Sequence, residues 1–263
     1  MIALIDGDIL RYEIGFAAET KWKDVSDDPP PFSVVEELLE DRIGNIKALT
    51  ESEECRIFFT GSSNFRTQIA TTTPYKKRPS RKPFHFKNIE AYLKAMYPYA
   101  QEEGLEADDL MAIVQTARLK YADTVICTRD KDLRQVEGYQ FGWEIGHQPM
   151  FPMQYVDYFG DISLKKNKSG EHIVGTGYKF FCSQLLTGDP VDTVPGLPKC
   201  GPVKAFNTLA STRTPEEALE AVKEAYKAKY GDEYRDKLLE QGRLLYLVRE
   251  LDKDGKPIMW EFE

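Results

Sequence analysis

The sequence predicts an α/β fold: a central, mostly parallel sheet flanked by helices, followed by a C-terminal helical subdomain. Three observations carry this. Short apolar runs ending in polar turns recur near residues 2–5, 56–60 and 124–128. Helical periodicities stand between them, including 88–97 and 107–121. After about Tyr178 the strand signals stop and helical segments follow one another.

The first run, Ile2-Ala3-Leu4-Ile5, reads as a buried strand that delivers Asp6-Gly7-Asp8 at its C-terminal end. Arg56-Ile57-Phe58-Phe59-Thr60 runs into Gly61-Ser62-Ser63-Asn64 in the same way, and Thr124-Val125-Ile126-Cys127-Thr128 into Arg129-Asp130-Lys131-Asp132. In open α/β sheets ligands bind beyond the carboxyl ends of the strands, so the aspartates are expected at that edge. Helices are expected over 179–186, 202–209, 215–230 and 234–249. Segments 24–31 (DVSDDPPP) and 165–170 (KKNKSG) are expected to be loops. The domains are set at 1–177 and 178–263.

A chain of 263 residues can bury a full core without disulfide support. Its four cysteines, Cys55, Cys127, Cys182 and Cys200, show no C-x-x-C spacing, and the N-terminus is not basic and then apolar. A reduced, cytoplasmic protein is expected. No apolar run approaches the roughly 18 residues of a membrane span, so no membrane role is expected.

The net charge of −8 argues against a polyanionic partner, but its distribution does not. Between Lys76 and Lys87 the chain carries Lys76, Lys77, Arg78, Arg81, Lys82 and Lys87 with no acidic residue. Tyr75, Phe84 and Phe86 are interleaved. A solvated loop and a segment that binds phosphates and unstacked bases explain this equally well.

Four acidic segments supply candidate ligands for a hard divalent cation such as Mg²⁺ or Mn²⁺. They are Asp6 with Asp8, Glu106-Ala107-Asp108-Asp109, Asp130-Lys131-Asp132, and Asp189 with Asp192. Each has a plain alternative: helix capping for the first three, a turn-rich linker for the fourth. Their conjunction is more specific than any one of them.

With LIDGD at 4–8, NFR at 64–66, YKKR at 75–78, EADD at 106–109, RDKDL at 129–133, GDPVDTVPGLPKCGPVKA at 188–205 and QGRLLYLVR at 241–249, the sequence resembles the flap-endonuclease family of 5′ nucleases. The resemblance is nearest to its phage-encoded 5′→3′ exonucleases and spans nearly the whole chain. It implies a PIN-like α/β domain and a helix-three-turn-helix motif in the helical subdomain. It also implies metal-dependent cleavage of DNA with a free 5′ end or 5′ flap, and extends to RNA–DNA hybrids.

Carried over position by position, the resemblance assigns Asp6, Glu106 and Asp108 to a first Mg²⁺ or Mn²⁺ ion. It assigns Asp109, Asp130, Asp132, Asp189 and Asp192 to a second. The family's second-strand aspartate falls on Gly61, which has no side chain, and Asp8 is the candidate to compensate. Lys76 and Arg78 match catalytic cations of an arch near 70–90, with Arg81 competing for the role. Arg66 joins them as a candidate, against the alternative of a structural partner. Tyr75, Lys77, Arg81 and Lys82 are expected to meet DNA at the arch. Gly196, Lys199, Gly201 and Lys204 are expected to meet it at the turn, where the resemblance also implies K⁺. Two rivals remain: a haloacid-dehalogenase-like phosphatase with Asp6 as nucleophile, and a DNA-binding member of the fold whose catalysis is weakened at Gly61.

Overall fold

The computed structural model describes residues 1–76, 81–168 and 170–263. Its first strand, β1 (Ile2–Asp6), is buried on both faces, as a central parallel strand between helical layers requires. It leads into α1 (Gly7–Trp22), α2 (Phe32–Leu49) and β2 (Glu54–Asn64). Next come the single-turn α3 (Arg66–Ile69), α4 (Phe86–Met96), β3 (Tyr99–Gly104), α5 (Ala107–Arg118) and β4 (Thr124–Cys127). The strands β5 (Gly138–Gly142) and β6 (Phe151–Val156) complete a six-stranded sheet in the order β3-β2-β1-β4-β5-β6. The pairs β1–β2, β1–β4 and β4–β5 are parallel.

Alternation along the strands sorts the side chains into two layers. On one face Ala3, Ile5, Ile57, Phe59 and Val125 pack with Leu10 and Ile14 of α1, Leu39 and Ile43 of α2, and Leu93 of α4. The opposite face of β1 carries Leu4 and, two residues on, Asp6. α5 packs against β1 and β4, and its Met111 and Ala112 are fully buried.

After the sheet come a hairpin, β7 (Ile162–Asn167) and β8 (Gly170–Gly175), and four helices, α6 (Gly177–Thr187), α7 (Pro202–Leu209), α8 (Pro215–Tyr230) and α9 (Tyr234–Leu245). Phe181, Leu185, Leu209, Val222, Tyr226 and Leu238 make their common core. The buried Tyr226 hydroxyl donates to the Leu185 carbonyl at 2.7 Å.

Two compact units divide the chain. The first comprises Met1–Ser63, Pro79–Asp130 and Gly138–Tyr155; the second comprises Asn64–Arg78, Lys131–Glu137 and Val156–Glu263. Among the described residues, no helix is long and apolar enough to cross a membrane.

Three expectations are corrected. Within the segment expected as a loop, residues 165–167 belong to β7 and Gly170 to β8, with Asn167 opposite Gly170. Their polar composition suits an exposed two-stranded ribbon, whose cross-strand pair Leu164–Ile173 supplies the apolar contact. β2 runs on to Asn64, past the turn expected at Gly61. α9 stops at Leu245, and Tyr246 is extended.

Candidate active site

Asp6 ends β1 and caps α1: its Oδ1 accepts from the Ile9 amide at 3.0 Å. Its Oδ2 accepts from the Thr128 hydroxyl at 2.8 Å. The residue is 2% exposed. Burial first, and the neighbouring Asp8 carboxylate second, push its carboxyl up from an ordinary 3.8 to about 6.

Asp8 stands in the first turn of α1, where its Oδ1 pairs with Arg11 and its Oδ2 accepts from the Thr60 amide at 3.1 Å. Arg11 also pairs with Glu90 of α4 and lies over the Phe86 ring, 4.2 Å from its centroid. The chain of bonds closes on itself. Lys94 donates to Glu90 and to Gln101, at 2.6 Å in each case, and Gln101 donates to the Thr60 carbonyl at 2.8 Å.

Glu106 and Asp109 form a reciprocal capping box at the start of α5. The Asp109 carboxylate accepts from the Glu106 amide at 3.2 Å and is fully buried. Asp108, between them, is partly exposed. The Thr60 hydroxyl accepts from the Ala107 amide at 3.1 Å, so one threonine joins Asp8 to the helix that carries Glu106 and Asp108. Thr128 plays the matching part on the other side of β1, since its hydroxyl also accepts from the Asp130 amide at 3.0 Å. The first unit thereby gathers Asp6, Asp8, 106–109 and Asp130 around the C-terminal ends of β1 and β4 and Thr60 of β2.

Gly61 is a position of close approach. A Cβ there would lie 2.2 Å from the Glu102 carbonyl oxygen of β3, and the Gly61 amide donates to the Leu105 carbonyl at 3.0 Å. The backbone beside β2 occupies the space that a ligand side chain at this position needs.

The second unit holds Asp132, Asp189 and Asp192 in a different setting. Lys131 Nζ lies 2.9 Å from Asp132 Oδ1 and also pairs with Asp189 Oδ2. Gln184 of α6 donates to Asp132 Oδ1 at 2.6 Å, and the Val191 amide donates to Asp189 Oδ1 at 2.8 Å. Burial alone would raise the Asp189 carboxyl, but Lys131 outweighs it and holds the group below its ordinary range. Burial would lower the Lys131 ammonium, and Asp132 followed by Asp189 more than offset that. Asp192 Oδ2 accepts from the Tyr75 hydroxyl at 2.9 Å, and Lys76 Nζ lies 3.7 Å from its Oδ1.

The remaining expected residues fall in varied places. Arg66 is 1% exposed and donates to the Leu244 and Tyr246 carbonyls at 3.0 and 3.1 Å, at the end of α9. Tyr75 is buried in the helical core. Arg81 pairs with Glu19 at 2.5 Å, and Lys82 lies over the Phe86 ring. Lys77 and Arg78 lie outside the described residues. In the turn between α6 and α7, Gly196 adopts φ +65°, and a Cβ there would meet the Gly188 amide nitrogen at 2.2 Å. The Gly196 amide is taken by Gln241 at 2.9 Å. Gly201, Lys199 and Lys204 are exposed around the start of α7.

Thr60, Thr128, Arg11 and Lys131 are parts of this arrangement that sequence reasoning missed. Arg11 carried a signal in its i+3 spacing from Asp8, and Lys131 in its place between two acids. The first unit's donors are hard oxygens around a buried carboxylate destabilised by a like charge, which suits Mg²⁺ or Mn²⁺. Among the described residues, no three His, Cys, Asp or Glu side chains converge into a group that could hold a metal ion. In the second unit Asp132 and Asp189 already share an ammonium, and the pair does not fit a further cation at the same point.

No protein-family model matches the sequence, and no curated protein sequence does. Solved structures do match. The D15 flap endonuclease of bacteriophage T5, solved with DNA and metal ions, superposes with a TM-score of 0.54 at 14% identity, covering 93% of this chain and 98% of that one. The T5 5′-exonuclease with bound zinc gives 0.53 at 15% identity, covering 90% and 96%. The chain has the flap-endonuclease fold. Both of these neighbours are nucleases.

Proposed function

We propose that this chain is a metal-dependent 5′→3′ exonuclease acting on DNA, with 5′-flap endonuclease activity on branched substrates. One observation carries the reading: in a flap-endonuclease fold, Asp6, Asp8, Glu106, Asp108 and Asp130 are drawn to one sheet edge by Thr60 and Thr128. Asp6, Glu106 and Asp108 would hold Mg²⁺ or Mn²⁺, with Asp8 beside Asp6 in place of the ligand that Gly61 lacks. Such an ion, when bound, supplies charge neutralisation at the phosphodiester and activation of water.

The chain's own groups do the rest. The Arg11 ring of bonds fixes the Asp8 carboxylate, and the capping box fixes Glu106 against α5. By the family likeness, Lys76 and Arg78 meet a phosphate of the DNA. Arg81 and Lys82 bind the 5′ strand. In the second unit, Lys199, Gly201 and Lys204 meet the phosphates of duplex DNA at the start of α7, and by the same family likeness the turn's carbonyls take K⁺. The four free, buried cysteines suit a reducing compartment.

The test is a panel of 5′-labelled duplex, 5′-flap and RNA–DNA hybrid substrates, incubated with Mg²⁺, Mn²⁺ or EDTA and read by product size. Cleavage in the divalent ions that stops in EDTA, and stops with Asp6→Asn, is expected. Tight binding without cleavage in either metal would select the non-enzymatic member of the fold, and a phosphorylated Asp6 would select the phosphatase.

A further inference from the structure

Lys131 sits between two carboxylates that the family likeness gives to a metal ion. Its Nζ is 2.9 Å from Asp132 Oδ1 and in contact with Asp189 Oδ2. Both acids are oriented for this by neutral donors: Gln184 on Asp132 and the Val191 amide on Asp189. The Asp189 side chain is 2% exposed, so its charge needs a partner from within the protein or from a bound cation.

A Mg²⁺ ion held by the same two acids would need metal–oxygen distances of about 2.0–2.1 Å and so would claim the space that Nζ fills. The ammonium also has the advantage of tethering. It is one residue from Asp132 in the chain, and its local concentration does not depend on the solution. The Lys131 side chain is 49% exposed, which leaves it a path out of the site when a stronger competitor arrives.

We propose that Lys131 is a resident cation that takes the place of a second metal ion between Asp132 and Asp189. The chain then binds its divalent ion at the acidic edge of the first unit and keeps the second pair of acids bridged by its own ammonium. The inference rests on the proposed nuclease reading only in taking residues 132 and 189 for the family's second ion set.

The experiment counts Mn²⁺ bound to the full chain at neutral pH, by the electron-spin-resonance signal of free Mn²⁺. It compares the wild type, Lys131→Met, the Asp132→Asn/Asp189→Asn double variant and the triple variant. Expected are an unchanged stoichiometry in the double variant and one additional ion in Lys131→Met that the triple variant loses. At intermediate Mn²⁺ concentrations the added site binds at least tenfold tighter than anything at this position in the wild type. Loss of an ion from the wild type on Asp132→Asn/Asp189→Asn overturns the proposal, as does a folded Lys131→Met chain that gains none. Should Lys131→Met fail to fold, the double variant still decides. Cleavage is assayed separately on the same samples, so an inactive wild type sinks the nuclease reading and leaves the ion count to judge this one.

Discussion

The amide of Thr60 donates to Asp8 Oδ2 at 3.1 Å while the hydroxyl of the same residue accepts from the amide of Ala107. One residue of β2 therefore sets both a carboxylate on α1, through its backbone, and the first turn of α5, through its hydroxyl. Thr60→Val keeps the shape of the residue and removes the acceptor, leaving the Ala107 amide without that oxygen. A loss of about 1 kcal/mol in urea unfolding is expected, with a larger fractional loss of cleavage. Equal activity per folded molecule would show that the geometry tolerates the loss.

Arg11 is the cation on which Asp8 and Glu90 both depend, and all three are at most about one-quarter exposed. Arg11→Met should destabilise by about 3 kcal/mol, because it removes the ion-pair partner of Asp8 and leaves Glu90 with Lys94 alone. Asp8→Asn in that background should recover part of the loss. A double-mutant cycle with no coupling between positions 8 and 11 would refute the linkage.

Asp6 gives a pH signature. Its native carboxyl is raised to about 6 from 3.8, so the folded state holds the proton more tightly than the unfolded one. The associated stability is fully present below pH 3.8 and is lost as pH rises through 6. By pH 8 the cost is about 3 kcal/mol. In EDTA, Asp6→Asn should therefore be more stable than the wild type at pH 8 and close to it at pH 4. A difference that stays constant between those values would contradict the assignment.

Gly61→Asp would place the family's carboxylate where the Glu102 carbonyl already stands, 2.2 Å from the new Cβ. Destabilisation of about 2 kcal/mol or more is expected, with no gain in Mg²⁺-dependent cleavage. A stable variant with raised activity would show that β3 yields.

Arg66→Met removes the donors that the Leu244 and Tyr246 carbonyls use at the end of α9. A melting-point loss equivalent to about 2–3 kcal/mol is expected. The KM for DNA should stay unchanged below the new transition. A raised KM with normal stability would return Arg66 to a substrate-contact role.

Much of the frame was legible because its signals are local. β1 and β4 are short apolar runs cut off by acidic turns, and α7 and α8 begin at prolines, so their boundaries could be read from one segment at a time. What escaped depends on residues far apart. The extension of β2 past Gly61 is set by the neighbouring 102–105 backbone, and nothing in Gly61-Ser62-Ser63-Asn64 announces it. Residues 165–167 and Gly170 read as a loop because their pairing is the information, and pairing is absent from composition. Lys131 was in plain view between two acids, but only the fold brings Asp189 to its far side.

The division into units has a consequence for anyone who would move these motifs between proteins. The peptide bond joining Asp130 to Lys131 is where one unit ends and the other begins. The RDKD tetrapeptide, which looks like a single cassette, is thus shared property: its first acid matures with the sheet and its second with the helices. The second unit also draws 64–78 from upstream, so no single cut in the gene yields either half whole. Chimeras should be built by exchanging buried contact sets, because exchanging stretches of sequence will break both parents.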